Sequence, residues 1–402
     1  MQRLVHWSGL LLVAALLLCA LVLPYVGGYP LAYVMMGLSI VTSLWLIVAR
    51  KAPELSPTTV LFSVAWLLIL VAYAITAQEP RDLSYVLNFA MFLFYAPLAA
   101  AFSRYGTPRN ARIVASLALA GVVIAFCVAV YQSWELLMPR AAGFYSDPIW
   151  AAQAALVLGF LALLGLSLPG RWSHLFWIGP LLGTLTAFLG QSRGPLVAVP
   201  VLLLIGLVFA FRRWWLALPV ALAAGVAAIL LVGTFSPTSL LRLESLRTIA
   251  EQAIYGEAIT ETSTSQRFAF YQSSWQAFLH APWSGYGWQH KIEAIVPYLA
   301  DGGEMLKEGH HHLHSDLADF GVSAGILGLI AYLLTIAAPV AGALASGRDS
   351  LYRQRLLGAV LLSAAYFCCG VTYLMFGYEF HTTLYVVLAA ILLGFCRQTA
   401  RA

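Results

Sequence analysis

Charge is what this sequence has least of. Lysines and arginines number 22 and acidic residues 17 among 402 positions, 10% in all, where a soluble chain carries roughly 25%. So few charges cannot solvate a globular surface of this size. With 61% hydrophobic residues and a mean hydropathy of +0.84, the chain reads as an integral membrane protein. Short segments that alternate polar and apolar residues are missing too, which excludes a β-barrel. Cysteine is scarce. Cys19, Cys127, Cys368, Cys369 and Cys396 all fall in or beside apolar runs, so neither a disulfide framework nor a cysteine zinc site is implied. There is no Walker loop, no dinucleotide fingerprint and no Asp-x-Asp pair of the kind that holds a nucleotide sugar through a metal. No charged residue lies in the middle of an apolar run, as ion-coupled transport usually requires. The net charge of +5 comes from arginines in short loops and signals no nucleic-acid partner.

What is present is a succession of apolar runs, each near the ~20 residues a spanning helix needs. They predict an all-α membrane protein of twelve spans, at about 7–26, 31–49, 58–77, 85–103, 111–134, 149–168, 172–190, 195–211, 214–235, 318–345, 355–375 and 379–396. The first run lacks a small-x-small cleavage site before a polar region and is taken as a helix rather than a signal peptide. The chain thus divides into 1–235 with nine helices, a loop at 236–317, and 318–402 with three more helices. With the N-terminus inside, cytoplasmic segments hold fourteen Lys and Arg, short outside loops hold Arg81, Arg140 and Arg193, and the long loop holds the other five. That bias places both termini in the cytoplasm and the long loop on the extracytoplasmic side. Within the loop, 240–259 and 267–280 read as helices lying on the membrane or over a cavity. No inverted repeat is evident.

Three polar residues gather on that outer side. Arg193, in Gln191-Ser192-Arg193-Gly194, sits at a span boundary where a topology-setting arginine does not belong. A guanidinium binds phosphate through paired, charge-assisted hydrogen bonds. Arg267 opens the second loop helix, where a lone arginine is ordinarily a solvated charge. His314 follows His310, His311 and His312. Adjacent histidines on extended chain point in alternate directions and chelate one ion poorly, even with Asp316 and Asp319 close by. A general base that takes a proton from a hydroxyl is the better use of such a residue. Two fixed cations and a titratable base point to chemistry on a lipid-linked phosphate. Arg140 and Asp147, before the sixth span, are candidates for binding sugar or diphosphate, and equally read as loop charges. The aromatics Trp275, Trp283, Tyr286 and Trp288 suit either an interfacial belt or stacking on sugar rings.

The chain resembles the O-antigen ligase and polymerase superfamily, bacterial membrane glycosyltransferases of the C-type class, across its whole architecture. Gln191-Ser192-Arg193-Gly194 is similar to the family's Ser-Arg-Gly at a span start. Arg267 through Trp275, His280, Pro282, Gly285 and Gly287 is similar to its Arg…Trp…His-Pro…Gly-x-Gly stretch. His314 with Gly325-Ile326-Leu327-Gly328 is similar to its His-Asn…Gly-x-x-Gly ending. Ser315 stands where the family usually has Asn, and Ala318 where it usually has Leu, so His312 is a second candidate base. Arg140-Ala141-Ala142-Gly143 with Asp147-Pro148-Ile149 is closer to ligases than to polymerases.

The resemblance implies a metal-independent enzyme that moves a glycan from undecaprenyl diphosphate to a sugar hydroxyl of lipid A–core, and the chain is expected to act as a monomer without cofactor. In that scheme Arg193 and Arg267 neutralise the departing diphosphate. His314 takes the acceptor's proton, and a single displacement inverts the anomeric centre. Relatives leave a glycan polymerase or a protein O-oligosaccharyltransferase as rivals that use the same donor. A lipid-glycan transporter would need broken helices or a midplane charge path, and the sequence suggests neither.

Overall fold

The structure is a computed structural model that describes residues 2–49, 52–53, 55–145, 147–167, 173–210, 262–299, 302–303 and 311–397. The described helices are α1 (Gln2–Leu21), α2 (Pro30–Val48), α3 (Pro57–Thr76), α4 (Met91–Ser103), α5 (Asn110–Trp134), α6 (Pro148–Leu161), α7 (Ile178–Leu189), α8 (Ala198–Ala210), α9 (Thr262–His280), α10 (Asp316–Ala345), α11 (Tyr352–Thr372) and α12 (Glu379–Ala390). Among the described residues there is no strand. Nine helical stretches there are long and apolar enough to cross a membrane, and Ser173–Leu189 and Glu379–Phe395 are shorter apolar helices. Eleven of the twelve expected spans therefore coincide with helix. The expected span at 214–235 and the expected loop helix at 240–259 lie outside the described residues.

Proline opens α2, α3 and α6, where its missing N–H costs nothing and its fixed φ suits the first turn. Ser56 caps α3 by accepting from the Thr59 amide at 3.2 Å, and Asp147 caps α6 by accepting from the Ile149 amide at 2.8 Å. The helices are apolar all round, so packing is selected by small residues rather than by a hydrophobic face. On α5 the buried stripe is Ala111, Ala115, Ala118, Val122, Ala125 and Ala129. A methyl group on Gly121 would come within 2.1 Å of the Leu21 carbonyl oxygen, which shows how closely α1 approaches. Helix α6 is buried along its whole length, beside α5, α7 and α11. Helix α10 packs along α3, where Thr58 donates to the Ala338 carbonyl at 2.9 Å.

Two expectations need correction. Helix α9 begins at Thr262, five residues before the expected start at Arg267, so Arg267 lies inside it. The span expected to run unbroken through 318–345 is interrupted at Gly325, whose φ of 58° and ψ of −145° are not helical. The segment after α9 wedges into this break. The Ile326 amide donates to the Pro282 carbonyl at 2.7 Å, Tyr286 to Val322 at 2.9 Å, and Gly287 to Ser323 at 2.8 Å. Backbone groups freed by the break are thereby satisfied from outside the helix, which is what allows it. A Cβ on Gly325 would lie 2.6 Å from the Trp283 carbonyl carbon, and one on Gly285 would lie 2.4 Å from the Val322 oxygen.

Gly325→Ala is accordingly expected to destabilise the protein by about 1–3 kcal/mol from the backbone conformation alone. Gly37→Ala, in open space on α2, should be neutral or stabilising by up to ~1 kcal/mol. Denaturation midpoints of the detergent-solubilised proteins measure both, and equal midpoints for the two variants would contradict the account of the break.

Candidate active site

Four chain segments meet where helices end. The first is the turn after α7. Gln191 takes a left-handed φ of 50°, Ser192 donates its amide to Ala187 at 3.2 Å, and a single helical turn, Arg193–Leu196, follows. Arg140 braces this turn. Its Nε donates to the Gly190 carbonyl at 3.1 Å and its Nη2 lies 3.4 Å from the Ser192 hydroxyl. Behind Arg140, Gln132 accepts from the amides of Ala142 at 3.1 Å and Gly143 at 2.9 Å. The Arg140–Gly143 motif therefore acts through the backbone that presents Arg193.

The second segment is α9, which carries Arg267 and, one turn on, Tyr271. A Cβ built on Gly194 would lie 3.8 Å from Arg267 Nη1 and 2.8 Å from the Thr372 hydroxyl. The guanidinium of Arg267 thus lies within van der Waals reach of the residue that follows Arg193, and a side chain at 194 would crowd the Thr372 hydroxyl. Tyr271 donates to the His314 carbonyl and stands 3.1 Å from both that oxygen and the Val371 carbonyl oxygen. Burial pushes its phenol up, and the nearby Arg267 charge opposes the shift.

The third segment is 311–315. His314 has a left-handed φ of 56° and its ring stacks on Phe270, with centroids 5.5 Å apart. The His312 and His314 rings meet edge to face at 4.4 Å. Between them Leu313 is fully buried, and its amide donates to Asp319 at 2.8 Å. The other Asp319 oxygen accepts from Lys291 at 2.6 Å. That ammonium also sits 3.2 Å from the centroid of the Trp288 ring. Burial pulls the Lys291 ammonium below its ordinary range, and the Asp319 carboxylate opposes that fall. Asp316 accepts from the amides of Met375 at 3.0 Å and Phe376 at 3.2 Å. Both carboxylates next to the histidines are thus engaged by amides and an ammonium. Among the described residues no group of three His, Cys, Asp or Glu is placed to hold a metal ion.

The fourth segment follows α11. The expected span at 355–375 ends as helix at Thr372, which frees Tyr373 to turn into the site. The Tyr373 hydroxyl lies 3.1 Å from His312 Nε2 and donates to Asp147 Oδ2 in a short hydrogen bond. Burial, and then the neighbouring Asp147 charge, hold the Tyr373 phenol far above its ordinary range.

Arg193, Arg267, His312, His314 and Asp147 are therefore drawn into one neighbourhood, with Arg140 immediately behind Arg193. Tyr286 is half-buried, packed on the apolar cluster that includes Phe270, Ile295 and Val322. Trp288 is not at the surface of the site: it is 8% exposed beneath Lys291, with Phe89 and Tyr378 packed against it. Stacking on a sugar needs an open ring face, and the face of Trp288 toward Lys291 is taken. Sequence reasoning passed over Lys291, Tyr271 and Tyr373. Beside the histidines runs an apolar groove of about 390 Å³, lined by Tyr271, Ser274, Trp275, Phe278, Leu317 and Val371 among others. A smaller cleft of about 280 Å³ near Trp177 and Arg353 holds none of these residues.

An all-α, multi-pass membrane protein with arginines, histidines and a carboxylate clustered at its helix ends is the class that fold and site define. Within it, residues 178–333 match the family model described as O-Antigen ligase, a stretch that holds Arg193, Arg267, His312 and His314. The match bears out the family assignment made from the three motifs. No curated protein matches the chain.

The Lys291–Asp319 pair generates a stability prediction. Lys291→Met, which strands a buried carboxylate, should cost about 3–5 kcal/mol. Adding Asp319→Asn keeps an acceptor for the Leu313 amide and should recover most of that loss. Melting of the purified proteins tests this, and a double variant no more stable than Lys291→Met would disprove the coupling.

Proposed function

We propose that the protein is an O-antigen ligase with a C-type glycosyltransferase fold, working at the periplasmic face of the inner membrane. It transfers a glycan from undecaprenyl diphosphate to a sugar hydroxyl of lipid A–core. The observation that carries this reading is the approach of Arg267 to the Arg193–Gly194 turn beside the histidine pair. Outside the cytoplasm no nucleotide pool supplies an activated sugar, so a lipid diphosphate serves as donor. Its departure leaves negative charge on phosphate oxygens, which two guanidinium groups neutralise without a metal.

The chemistry is one displacement. The acceptor oxygen forms a bond to the anomeric carbon, and its proton passes to His314, with His312 the neighbouring alternative. The bond from that carbon to the diphosphate oxygen breaks with its electron pair left on phosphate, and the configuration inverts. The apolar groove beginning at Tyr271 suits the polyprenyl chain that must leave the diphosphate toward lipid. Arg140 and Asp147 act by bracing the Arg193 turn and contacting Tyr373 rather than by gripping sugar.

Expression in a strain lacking its own ligase tests the reading, with lipopolysaccharide resolved on a gel. Wild type should restore the glycan ladder. Arg193→Ala, Arg267→Ala and His314→Ala should each lower transfer on the order of 10²–10⁴-fold at equal membrane levels. Near-wild-type ligation by Arg193→Ala would refute the mechanism. Absence of a ladder with wild type, together with chain extension in a polymerase-deficient strain, would identify a polymerase instead.

A further inference from the structure

Asp147 and Tyr373 lie 226 residues apart in sequence and share a hydrogen bond inside the site. A phenol has one proton. Since Tyr373 gives it to the Asp147 carboxylate, its oxygen can only accept from His312, 3.1 Å away. That places the His312 proton on Nε2 and makes Nδ1 its basic nitrogen. The ring centroids of His312 and His314 are 4.4 Å apart, so the two imidazoles hold one proton between them far more readily than two.

Among the described residues, charged and titratable groups reach the neighbourhood of the pair from several elements. Arg267 and Tyr271 come from α9, and Arg193 from the turn after α7. Asp316 and Asp319 come from α10, and Tyr373, Tyr378 and Glu379 from the segment joining α11 to α12. Tyr29 and Asp147 come from the starts of α2 and α6, and His311 adjoins in sequence. The guanidinium groups disfavour a proton on either imidazole. Asp319 is matched by Lys291, and Asp316 is held by two amides. A hydrogen-bonded path through Tyr373 connects the Asp147 carboxylate to the His312 imidazole.

We propose that Tyr373 is a positioning residue. It joins the charge of Asp147 to His312, and so lets the His312–His314 pair take up and keep the proton released by the acceptor hydroxyl. The role rests on the transfer reaction proposed above. In that reaction the proton moves from acceptor oxygen to the pair, the oxygen–carbon bond forms, and the carbon–phosphate-oxygen bond breaks. The Asp147–Tyr373–His312 chain stays hydrogen-bonded throughout and moves no proton of its own. Loss of either partner removes stabilisation of the protonated pair, so its titration must move to lower pH.

The substitutions that test this leave the fold intact. Asn at 147 still caps α6, and Phe at 373 keeps the ring contacts to both histidines. The full-length protein, labelled with ¹⁵N-histidine and held in lipid nanodiscs, is titrated by NMR. His312 and His314 signals are assigned from His312→Gln and His314→Gln. Wild type should show His312 with its proton on Nε2. Asp147→Asn and Tyr373→Phe should lower the pair's titration midpoint by about one pH unit or more. The acid limb of kcat for glycan transfer should move in the same direction. In both variants kcat should fall about tenfold or more while donor KM stays within about twofold. A midpoint unmoved by either substitution overturns the proposal whatever the activity. A moved midpoint with an unmoved acid limb overturns the role in transfer. A midpoint moved by the substitutions, together with a wild-type protein that transfers no glycan, leaves the chain standing and overturns the ligase reading.

Discussion

The position of the histidine segment depends on one buried ion pair. Taking an ammonium and a carboxylate out of water costs several kcal/mol for each ion. Lys291 and Asp319 recover this only because they meet at 2.6 Å, with the Trp288 ring under the cation and the Leu313 amide on the free carboxylate oxygen. Each contact fixes a different segment. Lys291 belongs to the stretch after the loop helix and Asp319 to the first turns of α10, while Leu313 lies between the two histidines. The requirement that no buried charge be left alone thus becomes a requirement on where His312 and His314 sit.

Around that pair, the site is assembled from helix ends brought together by absent side chains. Gly194 lets Thr372 approach the turn after α7, and Gly370 leaves room for Asp316, which a methyl group there would meet at 2.3 Å. A bundle of apolar helices has little else to specify register, because lipid and neighbouring helices are equally apolar. Polar contacts then finish what close approach begins. Tyr271 ties α9 to the His314 carbonyl and to the end of α11, and Tyr373 ties His312 to the start of α6.

The helices were legible because length and hydropathy alone place a span. Arg193 was legible because a guanidinium at an outer boundary opposes the charge bias of the loops, whereas Arg267 drew its weight from the family motif it opens. His314 stood out as a titratable group beside an apolar chain. Other features carry no such signal. Lys291 in a loop reads as a solvated charge, and only the fold shows that Asp319 and Trp288 close over it. Tyr373 lies in a run apolar enough to be counted as membrane, and its hydroxyl acquires meaning only because the helix stops at Thr372. Trp288 reads as an interfacial ring but is enclosed by Lys291, Phe89 and Tyr378. The interruption at Gly325 was hidden because Gly-Ile-Leu-Gly continues the hydropathy of its surroundings, and what breaks the helix is a carbonyl from Pro282, some forty residues upstream.

That interruption also separates two length scales. A continuous helix of 30 residues would measure about 45 Å, well beyond the ~30 Å of a bilayer's hydrocarbon. A rigid rod of that length must tilt as membrane thickness changes, and the tilt would swing its outer end. With the helical path broken at Gly325 and the upper piece bound to the segment at 282–287, the two pieces need not tilt as one rod. A change of membrane thickness taken up by the lower piece would then leave the histidine segment, at the upper end, where it is.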